Sequence, residues 1–143
     1  MALKQIDHNT AEYQLMVALR DEILRKPLGL SFTKEELERE KDDILLAAFE
    51  DDIMLGCCLL TQANLETVRL RQMAVRNNLQ GKGVGQAIIN FAELVAKAKG
   101  YKKICMHARD TALGFYERCG YTIVGDQFME VSVPHHEMEK YLY

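Results

Sequence analysis

Apolar and polar residues change rhythm along this chain, and each change marks an element. Residues 3–7 suit a short first strand. Thr10 stands as an N-cap, and Ala11 to Arg25 follows with Tyr13, Val17 and Leu24 on helical spacing. Lys26-Pro27-Leu28-Gly29 stops that helix. Thr33-Lys34-Glu35-Glu36 has the form of a capping box, opening a short acidic helix to about Glu40. Two apolar runs, Ile44 to Phe49 and Ile53 to Leu60, flank Glu50-Asp51-Asp52 and predict a buried hairpin. From about Val84 to Lys99 the period is helical again. Ile88, Phe91, Ala92 and Val95 make the apolar stripe; Gln86, Asn90, Glu93 and Lys97 make the polar one. Lys103 to Ala108 reads as a strand and Thr111 to Cys119 as a short helix, with Gly120 as its C′ residue. Tyr121 to Val133 reads as a kinked strand and His136 to Leu142 as another. The order β-α-α-β-β-β-α-β-α-β-β is that of a mixed α/β domain, and residues 1–143 form one such domain.

Thr67 to Val75 breaks its own alternation. Val68 and Leu70 share one parity, whereas Met73 and Val75 share the other. Side chains in a strand repeat every second residue, so the phase slips by one near Arg71-Gln72. An extra residue of that kind is a β-bulge, here in the fourth strand, and bulges are common beside active sites.

Composition narrows the function. The chain has 143 residues, 48% apolar and 27% charged, typical of a soluble globular domain. That excludes a disordered chain, a collagen-like repeat and a disulfide-built miniprotein. Its 18 basic and 21 acidic residues leave a net charge of -3, so neither nucleic acid nor an anionic membrane is an expected partner. Cys57, Cys58, Cys105 and Cys119 form no CxxC pair and no Cys/His ligand spacing, so no metal is expected. They read as reduced thiols of a cytoplasmic protein. The N-terminus carries no long apolar run or cleavage signal, and no stretch approaches the roughly 18 apolar residues of a membrane span.

The candidate chemistry begins at Gln80-Gly81-Lys82-Gly83-Val84-Gly85. A glycine turn feeding a helix N-terminus aims several backbone N–H groups at one point, and the helix dipole adds positive potential there. Such a site suits phosphate or pyrophosphate. G-x-x-x-x-G-K-[ST] is absent, and G-x-G-x-x-G fails because Gln86 stands where the third glycine belongs.

Met73-Ala74-Val75, four residues, then Gln80-Gly81-Lys82-Gly83-Val84-Gly85 resembles the acetyl-CoA motif of the GNAT superfamily of N-acetyltransferases. That motif, Gln/Arg-x-x-Gly-x-Gly/Ala, is met by Gln80, Gly83 and Gly85. Phe115-Tyr116-Glu117-Arg118-Cys119-Gly120-Tyr121 resembles the family's closing Phe-Tyr-x-x-x-Gly-Phe/Tyr. Val133-Pro134-His135-His136-Glu137-Met138 is similar to the ending of a small bacterial subgroup.

The resemblance implies the GNAT fold: a mixed, mostly antiparallel central sheet, bulged in its fourth strand and flanked by helices. It implies acetyl-CoA as cosubstrate and an acetyl group passed to a primary amine of a small molecule or peptide. The cosubstrate would be held by Met73, Ala74, Val75, Gln80, Gly81, Lys82, Gly83, Val84, Gly85 and Gln86. Tyr116 falls where the family's general acid commonly sits. The base is open. Arg71 stands where several members carry a glutamate, Glu66 reads as a turn residue, and His107 is the titratable candidate on the following strand. His135 and His136 either line the acceptor pocket or are solvated. The acceptor segments implied are Leu24 to Lys41 and Gln127 to His136. A homodimer is compatible with the resemblance. The competing readings are a non-catalytic acyl-CoA sensor, favoured by the missing acid on the bulged strand, and an unrelated nucleotide-binding regulator.

Overall fold

The computed structural model describes residues 1–143. Strand β1 (Ala2–Ile6) leads into helix α1 (Ala11–Arg20), whose N-cap Thr10 accepts a hydrogen bond from the Tyr13 N–H. The helix runs on as a π-turn over Asp21–Arg25 and a 3-10 turn over Lys26–Leu28, and Gly29 at φ 71° stops it. Helix α2 (Lys34–Glu38) opens on the capping box: Thr33 Oγ1 accepts from the Glu36 N–H, and Glu36 accepts from the Thr33 N–H. Then come β2 (Ile44–Glu50), β3 (Ile53–Gln62), β4 (Thr67–Val75), α3 (Val84–Ala98), β5 (Lys103–Arg109), α4 (Leu113–Arg118), β6 (Thr122–Glu130) and β7 (Val133–Tyr141). No helix is long and apolar enough to cross a membrane.

The strands form one sheet in the order β1-β2-β3-β4-β5-β7-β6. Every neighbouring pair is antiparallel except β4 and β5. Alternation sorts the two faces. Leu45, Ala47, Cys57 and Leu59 pack beneath α1 with Tyr13, Met16 and Leu19. Leu46, Cys58, Leu60, Ile104 and Met106 pack beneath α3 with Ile88, Ile89 and Ala92. Adjacent Cys57 and Cys58 therefore enter opposite cores. A buried ion pair fastens α1 to the 3-10 turn Arg39–Asp42: Arg20, 0% exposed, donates to both Glu40 carboxylate oxygens at 2.8 and 2.7 Å. Tyr13 Oη donates to the same carboxylate at 2.7 Å.

One expectation is corrected. The kinked strand Tyr121 to Val133 is instead β6, a two-residue turn at Val131-Ser132 and the start of β7. Both turn residues have positive φ, 45° and 62°, a conformation that Val and Ser do not advertise. On the polar stripe of α3, Glu93 has partners from distant segments. Glu93 accepts from Tyr121 Oη and Lys140 Nζ, tying α3 to the far edge of the sheet.

The feature that makes a site lies in β4. Cys57 opposes Ala74 and Leu59 opposes Arg71, so the single residue Cys58 spans both Gln72 and Met73. Gln72 takes φ 55° to accommodate the extra residue. Val68 and Leu70 point to the α3 core, Met73 and Val75 pack on its edge, and Ala74 joins the α1 core. The parallel pairing of β4 with β5 stops at Leu70↔Met106. Beyond it the two strands diverge.

Candidate active site

The divergence opens a cavity of about 840 Å³. One wall is Arg71 to Met73 and Val75 of β4; the other is His107 to Arg109 of β5. One end reaches the N-terminus of α3, where Gly81, Gly83 and Gly85 line it. Gly81 (φ 81°) and Gly83 (φ 86°) hold left-handed conformations that any side chain would strain. Gly83 occupies the N-cap without a side chain to cap, so the first-turn N–H groups of α3 lack a side-chain acceptor. A Cβ on Gly85 would lie 3.0 Å from the Phe115 ring, so this glycine lets α4 pack close.

Tyr116 comes from α4. Its ring is buried against Phe115 at 5.1 Å and Tyr121 at 6.1 Å, and the residue lines the cavity. Its hydroxyl makes no hydrogen bond within the chain. Burial raises its pKa above the ordinary phenol value, with the Cys58 and Cys119 thiols adding to the shift, so the phenol stays protonated.

The opposite end is polar. His107 donates through Nδ1 to Glu130 Oε1 at 2.9 Å, and its Nε2 lies 3.8 Å from Glu137 Oε1. Buried His135 donates from Nδ1 to the Val133 carbonyl at 2.7 Å, and its Nε2 lies 3.7 Å from Glu130 Oε2. Phe128 packs edge-on to His107 at 4.9 Å and stacks on His135 at 5.8 Å. Ile23, Leu24 and Arg25, from the π-turn after α1, close this end. The cavity lining thus includes both a donor-rich glycine turn and a carboxylate–imidazole pair.

Residues 9–142 match the family model of the acetyltransferase (GNAT) domain. The chain belongs to the GNAT acetyltransferase family. The uncharacterised protein YyaT of Bacillus subtilis is 32% identical over 74 residues, 52% of this chain and 50% of that protein. The chain spans about half the length of several curated relatives that it matches. A candidate N-acetyltransferase from Lactobacillus plantarum superposes with a TM-score of 0.87 over 100% of both chains, at 24% identity. An aminoglycoside 6'-N-acetyltransferase solved with coenzyme A superposes with a TM-score of 0.84 over 100% of this chain and 98% of that one, at 18% identity. These two likenesses are of fold.

Within this GNAT domain the residues singled out by sequence separate into several positions. Met73, Val75, Gln80, Gly81, Gly83, Gly85, Gln86, His107 and Tyr116 line one cavity. Ala74 and Val84 are buried in the two cores, so only their main chain is available to it, and Lys82 is exposed outside its lining. The Gln80 side chain turns back to donate to the Val75 carbonyl at 3.1 Å and braces the turn. Gln86 donates to Asn90 and accepts from the Cys119 thiol, joining α3 to α4. Of the two adjacent histidines, His135 lines the cavity, whereas His136 is a strut that donates to Asp110 at 2.7 Å. Glu66 lies in the turn before β4, beside Lys102, away from the cavity. Arg71 does line it, held near Asp43 at 4.0 Å and donating to Thr61 at 3.4 Å.

The sequence reading passed over Glu130 and Arg109. Arg109 had a signal: it stands two residues after His107 in one strand, which puts the arginine on the histidine's face. Glu130 had none, because its approach to His107 depends on the β5–β7–β6 register.

Proposed function

We propose that this chain is an acetyl-CoA-dependent N-acetyltransferase acting on a primary amine. The observation that carries the reading is one continuous cavity. It joins an uncapped, glycine-turned helix N-terminus to an unpaired strand edge, an unpartnered phenol and a carboxylate–imidazole pair.

Each part answers one need of acyl transfer. The first-turn N–H groups of α3, with those of the glycine turn, suit a pyrophosphate. The β4 edge from Arg71 to Val75 lacks a strand partner on the β5 side, so its N–H and C=O groups can pair with an extended amide-bearing arm. A free N–H of Met73 or Val75 on that edge can polarise a carbonyl. Acetyl-CoA supplies the thioester. The amine nitrogen bonds to the acyl carbon, the carbon–sulfur bond breaks, and the electron pair leaves with sulfur.

The amine's proton passes to the Glu130–His107 pair, whose hydrogen bond fixes the imidazole tautomer with the proton on Nδ1. Tyr116 supports the departing sulfur. A thiol has a pKa of about 8.5 and a phenol one of about 10, so complete proton transfer to sulfur is uphill. Burial raises the phenol further, and Tyr116 therefore acts chiefly as a hydrogen-bond donor to the thiolate.

The sensor reading rested on the missing carboxylate at Arg71. The Glu130–His107 pair supports the enzyme reading, because it supplies a proton acceptor from other strands. The test has two parts. Isothermal titration with acetyl-CoA, CoA, ATP and NAD should give binding of the first two only. Thiol release across a panel of amines should then show turnover. Acetyl-CoA binding without turnover on any amine would favour the sensor; binding of ATP or NAD in its place would favour a nucleotide-dependent regulator.

A further inference from the structure

Arg109 closes β5 two residues after His107, on the same face of the sheet, a spacing of about 6.6 Å. It lines the acceptor end of the cavity and is half-buried. Its one hydrogen bond runs from Nη2 to the Leu24 carbonyl at 2.9 Å, and it forms no ion pair. The other arginines of the cavity are differently placed. Arg25 pairs with Glu36 at 3.1 Å and stacks over the Phe32 ring at 4.2 Å. Arg71 lies 4.0 Å from Asp43, and Arg118 is exposed to solvent. The nearby carboxylate, Glu130, is engaged by His107.

A half-desolvated guanidinium without a counter-ion is costly. Burial and the neighbouring Arg25 both lower its pKa, with Glu130 opposing them. A guanidinium presents a planar fork that matches a carboxylate in two parallel hydrogen bonds. Beside it, at strand spacing, sits the pair to which the reading above assigns the amine.

Resting on that acetyltransferase reading, we propose that the acceptor is an amine carrying its own carboxylate, an amino-acid-like molecule held through that carboxylate by Arg109. Two strand positions separate the residues, so a short molecule that carries both an amine and a carboxylate is the acceptor class that offers each side chain a partner. A polycationic acceptor would bring further positive charge against Arg109 and Arg25.

The test compares matched acceptors. Titration first establishes acetyl-CoA binding. Thiol release is then measured with aliphatic, aromatic, acidic and basic amino acids, each beside its carboxamide, and with a polyamine. The free acids should exceed their amides in kcat/KM by about 10- to 100-fold, the range of one charge-assisted contact. The amide's amine is the less basic and loses its proton more easily, so intrinsic reactivity runs against this preference. Arg109→Gln should bring the acid-to-amide ratio close to one while acetyl-CoA affinity is kept, and Arg109→Lys should retain part of it. Amides equal to acids, a polyamine as the best acceptor, or no turnover of any acid despite acetyl-CoA binding would each overturn the proposal alone. Absence of acetyl-CoA binding would overturn the acetyltransferase reading and this proposal together.

Discussion

Removing the Tyr116 hydroxyl separates chemistry from packing more cleanly than any other change at the site. The ring packs against Phe115 and Tyr121, but the hydroxyl has no partner in the chain. Tyr116→Phe keeps the ring contacts and breaks no internal hydrogen bond, so thermal stability should hold to within a few degrees. Turnover should not hold. A hydrogen bond to a charged acceptor contributes about 1.5–3 kcal/mol, and each 1.36 kcal/mol is tenfold in rate, so kcat should fall by about 10- to 100-fold. Acetyl-CoA affinity should change little, because the bond strengthens only as charge gathers on sulfur. Steady-state kinetics with the best amine, calorimetric titration and a melt on the same preparation measure all three quantities. An acyl donor with a more acidic leaving thiol should recover part of the loss, since it needs less help at sulfur. The raised phenol pKa also fixes the sign of any pH effect: the protonated donor persists upward, so the wild-type rate should show no alkaline limb from this group below about pH 10. A wild-type kcat in Tyr116→Phe would remove the hydroxyl from the mechanism. A kcat loss matched by lower affinity and a lower melting temperature would reassign the residue to packing.

Three further outcomes are expected. Gly83→Asp places a carboxylate and a Cβ at the left-handed N-cap of α3, so titration should show acetyl-CoA binding weakened at least tenfold, about 1.4 kcal/mol, and unchanged affinity would refute the phosphate assignment of the turn. Glu40→Ala strands the fully buried Arg20 guanidinium and the Tyr13 hydroxyl, a loss of about 3–5 kcal/mol that should lower the melting temperature by about 10–15 °C; a shift under 3 °C would show that the pair is not what anchors α1. All four cysteines are free and buried, and burial pushes the Cys57 thiol up to about 12, so iodoacetamide at neutral pH should modify the native protein slowly and label four sites once it is denatured.

Local signals in the sequence carried most of the fold. The capping box at Thr33, the stop at Gly29 and the acidic turn between two apolar runs each act within a few residues, and each occurs where its chemistry predicts. The parity change across Val68, Leu70, Met73 and Val75 is local too, because a two-residue period records a slip of one. What stayed hidden depends on partners distant in sequence. The Val131-Ser132 turn lacks the Gly or Asn that normally announces positive φ, so β6 and β7 merged at their shared end. Glu93 sits on a polar stripe in any helical projection, and only the return of β7 brings Lys140 to it. The glycine end of the cavity was legible because one contiguous segment builds it. The other end was legible only as two segments, Leu24 to Lys41 and Gln127 to His136; that Arg109 joins Leu24, Glu130 and His135 there depends on strands that meet only in the folded sheet.

The slip in β4 is where fold and chemistry meet. Without the extra residue, Ala74 would share the face of Val68 and Leu70, and Met73 and Val75 would turn toward α1. With it, small Ala74 completes the α1 core while Met73 and Val75 remain beside α3, the helix that carries the glycine turn. Pairing with β5 ends at Leu70↔Met106, at the onset of the slip. Main-chain groups on the β4 edge beyond that point lack a strand partner in the cleft that Tyr116 also lines. Buried N–H and C=O groups demand partners, and an unpaired strand edge is a template for an added strand. Sealing the cleft with side chains would have satisfied packing alone. Leaving the edge open beside a helix N-terminus instead is what the proposed acetyl-CoA reading requires, because an extended, amide-bearing chain that ends in phosphates needs both. One inserted residue therefore sets the core, the cavity wall and the kind of ligand that the wall can hold.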